Sequence, residues 1–258
     1  AHNNYLKRRK NSSHSSKYND VLSNLISAKL HENWSPEQIS NALLNGKLSF
    51  KTIYNWIYIG KLKGISFKNL RHKGKRRKKE TRGKFLIGNS ITTRPKDVKS
   101  RKTFGHWELD TIVSSRGKSK ACLATFVERK TRFYVAIKIK DRTAPSMLKA
   151  IKKLVKVLPK KALKTFTTDR GKEFACYKEV EKLNIKVYFA DAYAAWQRGS
   201  NENSNGLLRE YYPKKTDLGK ISNDDLIEKL ILLNSRPRKC LNWDNPFNLF
   251  LKEVSHLD

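Results

Sequence analysis

The sequence predicts a mixed α/β domain preceded by a small all-helical domain. Up to about residue 62, apolar residues recur at the spacing of amphipathic helices, whereas alternating and β-branched stretches begin after residue 101. In the later part, three strands follow one another and are succeeded by alternating helices and strands. That order is typical of a mixed sheet flanked by helices.

The composition favours a nucleic-acid partner. The 258 residues include 56 Lys and Arg against 23 Asp and Glu, which gives a net charge of +33. A field of that sign concentrates polyanions, and each neutralised phosphate releases counterions. No run approaches the roughly 20 apolar residues of a membrane-spanning helix, and no signal-peptide pattern opens the chain. We therefore expect a cytoplasmic protein without a membrane partner.

The N-terminal part is predicted to contain a tail and a helix-turn-helix. Residues 1–16 are polar and basic without an apolar period, so they are predicted to form a tail or linker. Residues 17–62 are predicted to form the helix-turn-helix domain. Within it, Ser35 caps a helix with Pro36 in its first position, and Ser49 caps the next helix.

The second helix of this pair would present a polar face to the major groove of DNA. The residues of that face are Lys51, Thr52, Asn55 and Tyr58. The alternative is a small helical bundle whose polar face meets only solvent. The positive charge of the chain favours DNA binding over that alternative.

A basic linker is predicted over residues 63–100. Its stretch "RHKGKRRKKETRGK" is too charged, and too broken by glycine, to be buried. Arg76 and Arg77 in this stretch are predicted to contact the phosphate backbone of DNA. A solvated linker is compatible with that role.

Residues 101–258 are predicted to form the α/β domain. Thr143 caps its first long helix, and Pro145 lies in the first turn of that helix. Five strands are predicted, at "HWELDTIVSS", "ACLATFVERK", "RFYVAIKIK", "LKTFTTD" and "IKVYFAD". Helices are predicted at "TAPSMLKAIKKLVKVLP" and "CYKEVEKLN" and over residues 201–211 and 224–234.

Three acidic residues stand apart from the solvated acids of the helices. Asp110 lies inside the first strand, Asp169 closes the fourth strand, and Glu202 begins a late helix. Two divalent ions about 3.5–4 Å apart can activate one oxygen of a phosphodiester displacement and stabilise the other. Hard Mg²⁺ or Mn²⁺ needs carboxylate oxygens from separate, rigid elements, and these three elements can supply them.

Each acid also has an ordinary interpretation. Asp110 would be an acid on an edge strand, Asp169 a turn residue, and Glu202 an acid stabilised by the helix dipole. For one residue alone, the ordinary interpretation is favoured. The three acids together, in this order along an α/β pattern, favour a metal site.

Several long motifs of the chain resemble one family, the DDE transposases of bacterial insertion sequences of the IS-thirty type. The resemblance covers most of the chain, and the order of so many motifs is specific. It is carried by "WSPEQIS", "KTIYNWIY", "GHWELDTI", "ATFVERKTRF", "TTDRGKEF", "YFADAYAAWQRGSNENSNGLLREYYPKKTDL" and "NSRPRKCLNW".

This resemblance implies a ribonuclease-H-like catalytic domain whose catalytic and metal-binding residues are Asp110, Asp169 and Glu202. It implies two Mg²⁺ or Mn²⁺ ions and an enzyme that cuts double-stranded DNA at the inverted-repeat ends of its element and joins the 3′ ends to target DNA. We expect a homodimer or higher oligomer on the DNA, and association with the bacterial nucleoid. We also expect the family to carry a further helix-turn-helix before the one seen here, and its absence agrees with a chain that does not begin with Met.

Arginines near Glu202 are the predicted DNA contacts of the catalytic domain. Arg209 follows Glu202 by seven positions and so returns close to the same helical face, where it would contact a phosphate. Arg198 is predicted to contact DNA or to order its loop, as are Gln197, Asn201 and Asn205. Trp196 either stacks on a base or packs at the start of the helix, and packing is favoured.

Two other functions are weighed against a transposase. The first is a non-catalytic helix-turn-helix DNA-binding repressor or architectural protein, which the three acids oppose. The second is a ribonuclease-H-like nuclease without strand transfer, which the basic helix-turn-helix and linker oppose.

Overall fold

The computed structural model describes residues 17–71, 88–115, 117–191 and 194–257. The chain divides into two compact units, one within residues 1–75 and the other within residues 76–258. Arg76 and Arg77 lie outside the described residues. Among the residues that are described, none belongs to a helix long and apolar enough to cross a membrane.

Residues 17–71, the described part of the first unit, contain three α-helical segments. Helix α1 spans Asp20–His31, α2 spans Pro36–Gln38 and runs into a π-helical turn at Ile39–Leu43, and α3 spans Phe50–Tyr58. Their apolar faces form a buried core, which is why three short helices hold together. The largest fully buried side chains in that core are Ile26, Leu30, Ile39, Ile53 and Leu62.

The predicted caps of this unit are confirmed. The Ser35 hydroxyl accepts a hydrogen bond from the backbone of Gln38, whose side chain accepts one from the backbone of Ser35. Ser49 caps α3 by accepting from the backbone of Lys51. Between the helices, Gly46 adopts a left-handed φ of 75°, which glycine takes without steric strain.

The second unit is built on one mixed sheet. Its strands are β1 (Asn89–Ser90), β2 (His106–Val113), β3 (Cys122–Glu128), β4 (Tyr134–Ile139), β5 (Thr165–Thr168) and β6 (Lys186–Phe189). The spatial order is β1-β6-β5-β2-β3-β4. Strands β2, β3 and β4 are antiparallel neighbours, whereas β5 is parallel to both β2 and β6. The predicted mixed α/β fold is confirmed.

Helices cover both faces of this sheet. They are α4 (Lys96–Ser100), α5 (Ala144–Val157), α6 (Tyr177–Glu181), α7 (Gly199–Tyr211), α8 (Asn223–Asn234) and α9 (Pro246–Val254). One buried cluster joins the sheet to α5, through residues such as Leu109 and Ile151. The other joins the opposite face to α7 and α8, through residues such as Ile112 and Leu208. Because side chains alternate along a strand, Asp110 points to the α7 side.

The structure differs from the prediction in three elements. The sheet has a sixth strand, β1, and the predicted five-strand count is wrong because β1 is a two-residue strand that pairs in parallel with β6 at the sheet edge. Helix α4 lies in residues predicted to be linker. Helix α9 was also not predicted, although Asn245 caps it and Pro246 opens it, which is a recognisable start signal.

Candidate active site

Asp110 lies in β2 with its carboxylate held from two sides. The backbone N–H of Thr111 donates to its Oδ1 at 2.8 Å, and the Asn205 amide donates to its Oδ2 at 3.2 Å. Asn205 belongs to α7, so this bond ties the helix to the strand. The Asp110 side chain is 25% exposed, and solvent can therefore reach it.

Asp169 follows the last residue of β5. Its Oδ1 accepts a hydrogen bond from the backbone N–H of Gly171 at 2.9 Å. Because β5 is the hydrogen-bonded parallel neighbour of β2, the two aspartates lie on adjacent strands. The placement predicted for each of them on its strand is confirmed.

One guanidinium group joins the two aspartates. Arg198 places Nη1 at 3.3 Å from Oδ2 of Asp110 and Nη2 at 3.2 Å from Oδ2 of Asp169. Its side chain is 15% exposed, so the pair of contacts is partly shielded from water. The arginine predicted to contact DNA thus lies between the acids.

The electrostatics of the site act on Asp110 in opposite directions. Burial raises the pKa of its carboxyl, the neighbouring Arg198 lowers it, and the negative charges of Asp169 and Glu173 raise it again. The pKa of Asp110 is therefore raised overall. A cation that binds here relieves this repulsion.

Glu202 lies in the first turn of α7, where it is half-buried. Arg198 and Asn205, which both contact Asp110, stand four positions before it and three positions after it. Asn205, three positions after Glu202 within α7, shares one helical face with it. Glu202 therefore belongs to the helical face that adjoins Asp110.

A buried network fixes the start of α7. Asn201 donates from its backbone N–H to Oε2 of Glu108 at 2.8 Å and from its side chain to the Glu108 carbonyl at 3.0 Å. Its Oδ1 accepts from Thr125 at 3.2 Å. Glu108 also forms a buried ion pair with Arg129. Asn201 precedes Glu202, so this network sets where the glutamate stands.

Sequence reasoning missed two further charged residues beside the aspartates. Glu173 is fully buried, and Arg142 donates from Nε to its Oε1 at 2.7 Å. Burial lowers the pKa of Arg142, but its hydrogen bond to Glu173 and the negative charges of Glu173, Asp169 and Asp110 outweigh burial, so the pKa is raised overall. The sequence feature that could have pointed to Glu173 is the stretch "TTDRGKEF", in which this glutamate follows Asp169 and Gly171 closely.

The other predicted DNA contacts lie elsewhere. Arg209 donates to the backbone carbonyl of Val113 at 2.7 Å and to those of Tyr212 and Pro213 at 3.3 and 3.4 Å. These bonds hold the end of α7 against the end of β2. The packing favoured for Trp196 is wrong, because its side chain is 76% exposed.

Gln197 and the helix-turn-helix residues complete the set of predicted contacts. Gln197 exchanges two hydrogen bonds with Asp191, which orders the loop before α7. On α3, Lys51 and Asn55 are exposed and Thr52 is half-buried. Tyr58 on the same helix is 67% exposed.

The chemistry of the acid cluster fits a divalent cation. Carboxylate oxygens are the ligands that Mg²⁺ and Mn²⁺ prefer, and Asp110 and Asp169 already share one cationic group. The Oε2 atom of Glu173 is buried and has no hydrogen-bond partner among the described residues. A carboxylate oxygen that faces a cation would have these surroundings. Within the described part of the chain, however, no three His, Cys, Asp or Glu side chains form a group that could hold a metal ion.

Comparison with known proteins places the chain in a family. Residues 100–195 match the family described as "Integrase core domain". Transposase InsI for insertion sequence element IS30A of Escherichia coli strain K12 is 34% identical over 256 residues, which cover 92% of this chain and 66% of the relative. The transposase for insertion sequence element IS1086 of Cupriavidus metallidurans is 35% identical over 252 residues, which cover 92% of this chain and 74% of the relative. The chain belongs to the IS-thirty (IS30) family of transposases.

This IS30-family chain spans slightly less than two thirds, 66%, of the length of the E. coli relative. Among solved structures, the catalytic core domain of HTLV-2 integrase in complex with magnesium gives a TM-score of 0.42 at 18% identity. That alignment covers 56% of this chain and 94% of the integrase chain.

Proposed function

We propose that this chain is a metal-dependent DNA transposase. It cuts double-stranded DNA at the inverted-repeat ends of an insertion sequence and joins the 3′ ends to target DNA by two-metal phosphoryl transfer. The observation that carries the proposal is the pairing of Asp110 and Asp169 around one cationic group, on adjacent strands of a chain from a transposase family.

In this proposal Asp110, Asp169 and Glu202 hold two Mg²⁺ or Mn²⁺ ions. Such ions, when bound, stabilise the negative charge of the attacking and leaving oxygens of the phosphodiester. The chain prepares the ligands. The Thr111 and Gly171 N–H groups each fix one carboxylate oxygen of an aspartate, which orients the other oxygen toward the shared cationic group.

Helix α7 positions the proposed metal ligands. Asn205 holds Asp110 directly, and Asn201 fixes the helix start against Glu108 and Thr125. A site whose ligands are locked by packing and hydrogen bonds needs little reorganisation when substrate binds. Partial burial of the cluster also strengthens each electrostatic interaction with a phosphate or a cation.

Double-stranded DNA is the proposed partner, and the net charge of +33 supports it. The exposed polar face of α3 would read base edges, as in other helix-turn-helix proteins. That face consists of Lys51, Thr52, Asn55 and Tyr58. Arg76, Arg77 and Arg198 are proposed to add phosphate contacts, and the protein is proposed to act as a homodimer or higher oligomer on DNA.

The decisive experiment measures nicking of a duplex that carries the inverted repeat from the DNA flanking the gene. Wild-type protein should nick and then join this duplex in Mg²⁺ and should do neither in EDTA. Asp169→Asn should abolish both steps while duplex binding stays within about twofold, since a carboxylate does not attract phosphate. Asp224→Asn, at an exposed position of α8, is the matched control. Tight duplex binding by wild type without Mg²⁺-dependent nicking would instead identify a non-catalytic DNA-binding protein.

A further inference from the structure

We propose that Glu173 is a fourth acidic residue of the active site, whose Oε2 faces a divalent cation held by Asp169. The inference rests on the proposed metal-dependent function and extends its set of acids beyond the three named so far.

The two oxygens of Glu173 have different surroundings. Oε1 accepts a hydrogen bond from the Thr111 hydroxyl at 3.0 Å and one from Arg142 Nε at 2.7 Å. Oε2 is buried and has no hydrogen-bond partner among the residues that the structure describes. The side chain as a whole is 0% exposed, so bulk water does not solvate it. A buried carboxylate oxygen without a donor is costly, and such an atom calls for a partner that the fold itself does not provide.

The unpaired oxygen lies beside Asp169. A Cβ atom added to Gly171 would stand 2.5 Å from Oε2 of Glu173 and 2.9 Å from Oδ1 of Asp169. Both oxygens therefore border the same glycine. Any larger residue at this position would press against both carboxylates, whereas glycine lets them lie close together.

Glu173 is also tied to Asp110. Thr111, which donates its hydroxyl to Glu173, donates its backbone N–H to Asp110. One threonine thus orients two acids. The unpaired Oε2 is the part of this arrangement that a further cation would satisfy.

The competing explanation is a structural brace. Glu173 joins Thr111 of β2 to Arg142 of the loop before α5, and a brace of this kind needs only Oε1. A structural brace does not explain why a carboxylate with a buried, unpaired Oε2 stands here. A glutamine amide at the same place would accept the same hydrogen bonds from Thr111 and Arg142. The two explanations therefore predict different results for the isosteric amide.

Glu173→Gln in the full chain separates them. The substituted side chain keeps an Oε1 acceptor for Thr111 and Arg142 and replaces only Oε2, by an NH₂ group that repels a cation. Mn²⁺ binding is measured by isothermal titration calorimetry on EDTA-treated protein. We expect the substitution to weaken Mn²⁺ binding by about tenfold or more, the range seen when a residue supporting a metal site is lost. Glu179→Gln is the matched control, because Glu179 is an exposed acid of α6 paired with Lys182. It should bind Mn²⁺ like wild type.

Asp169→Asn in the same titration keeps this inference distinct from the proposed function. If Asp169→Asn loses Mn²⁺ and Glu173→Gln binds it like wild type, Glu173 is a brace and the inference is overturned, while the proposed function stands. If wild type itself binds no Mn²⁺, both fail. A thermal melt in EDTA checks that each variant is folded.

Arg142→Gln provides a second test that leaves the carboxylate in place. It removes one cationic neighbour of Glu173, and the Arg142 side chain is 44% exposed, so its loss opens no buried cavity. The affinity for Mn²⁺ should then stay unchanged or rise, because one positive charge that repels the ion has been removed. A fall in Mn²⁺ affinity for folded Arg142→Gln would contradict the proposed role of Glu173.

Discussion

Arg198 donates a hydrogen bond from Nη2 to Oδ2 of Asp169 at 3.2 Å. The same guanidinium lies against Asp110, so it stands where a cation shared by the two aspartates would have to stand. Under the proposed function, arginine and metal ion would therefore compete for the same oxygens. A guanidinium that is released from them becomes available to a phosphate group.

The first prediction follows from this competition. Arg198→Ala should raise the affinity for Mn²⁺ severalfold, because the ion no longer has to displace a positive charge. Calorimetric titration of the full chain measures the change. Arg209→Ala is the control, since Arg209 donates its hydrogen bonds to backbone carbonyls at the far end of α7. Weaker Mn²⁺ binding by Arg198→Ala would mean that the guanidinium supports the site instead of competing for it.

The second prediction concerns His106, at the start of β2. Burial lowers the pKa of this histidine, Asp97 opposes that shift, and the charges of Lys164, Arg129 and Arg94 reinforce it, so that the pKa is about 4. The folded state therefore takes up a proton at lower pH than the unfolded state. Stability should fall as the pH drops from 7 toward 4, by about 2 kcal/mol at pH 5.

Urea unfolding at pH 7.5 and pH 5.0 measures this effect. His106→Gln should remove most of the difference between the two pH values, because glutamine does not titrate. His256→Gln, at an exposed position after α9, should keep the difference. An unchanged pH dependence in His106→Gln would assign the effect to other groups.

The third prediction concerns the network at the start of α7. Asn201→Ala leaves Thr125 without its buried acceptor and the Glu108 carbonyl without its side-chain donor. The free energy of unfolding should fall by about 1–3 kcal/mol. Nicking should fall further than the loss of folded protein explains, because Glu202 is the next residue. Asn203→Ala, at an exposed position of the same helix, is the control. Equal nicking by folded Asn201→Ala and wild type would remove this network from the positioning of Glu202.

The fourth prediction tests the polar face of α3. Lys51→Ala should weaken duplex binding and reduce the slope of log affinity against log salt by about 0.9, the value for one phosphate contact. Asn55→Ala should reduce discrimination between sequences more than it reduces affinity. Gel shifts at several salt concentrations measure both effects. Lys29→Ala removes a lysine of α1 that already pairs with Glu32, and it should leave the salt slope unchanged.

Local signals predicted most of the fold and part of the site. Thr143 and Ser35 mark helix starts by hydrogen bonds within a few residues, and both caps are present. Asp110 and Asp169 could be picked out because each occupies a defined place on a strand. Their adjacency then follows from the pairing of those strands.

The features that the sequence did not predict share a physical cause, which is dependence on contacts between distant segments. The two residues of β1 are too few to produce an alternating pattern, and they form a strand only because β6 offers a free edge. Glu173 looks like an ordinary acid beside a lysine, and its burial depends on packing between distant segments. Arg209 bonds to carbonyls of β2 and of the chain after α7, a choice of partners that sequence spacing does not encode.

The parallel pairing of β2 with β5 also determines when, under the proposed function, the chain would become able to cut DNA. Two hairpin strands and helix α5 separate these strands along the sequence, so their contact is non-local and needs the intervening chain to close first. A nascent or partly unfolded molecule keeps Asp110 and Asp169 apart, although its basic segments still attract nucleic acid. Under the proposed function, such a molecule would bind the host chromosome without cutting it.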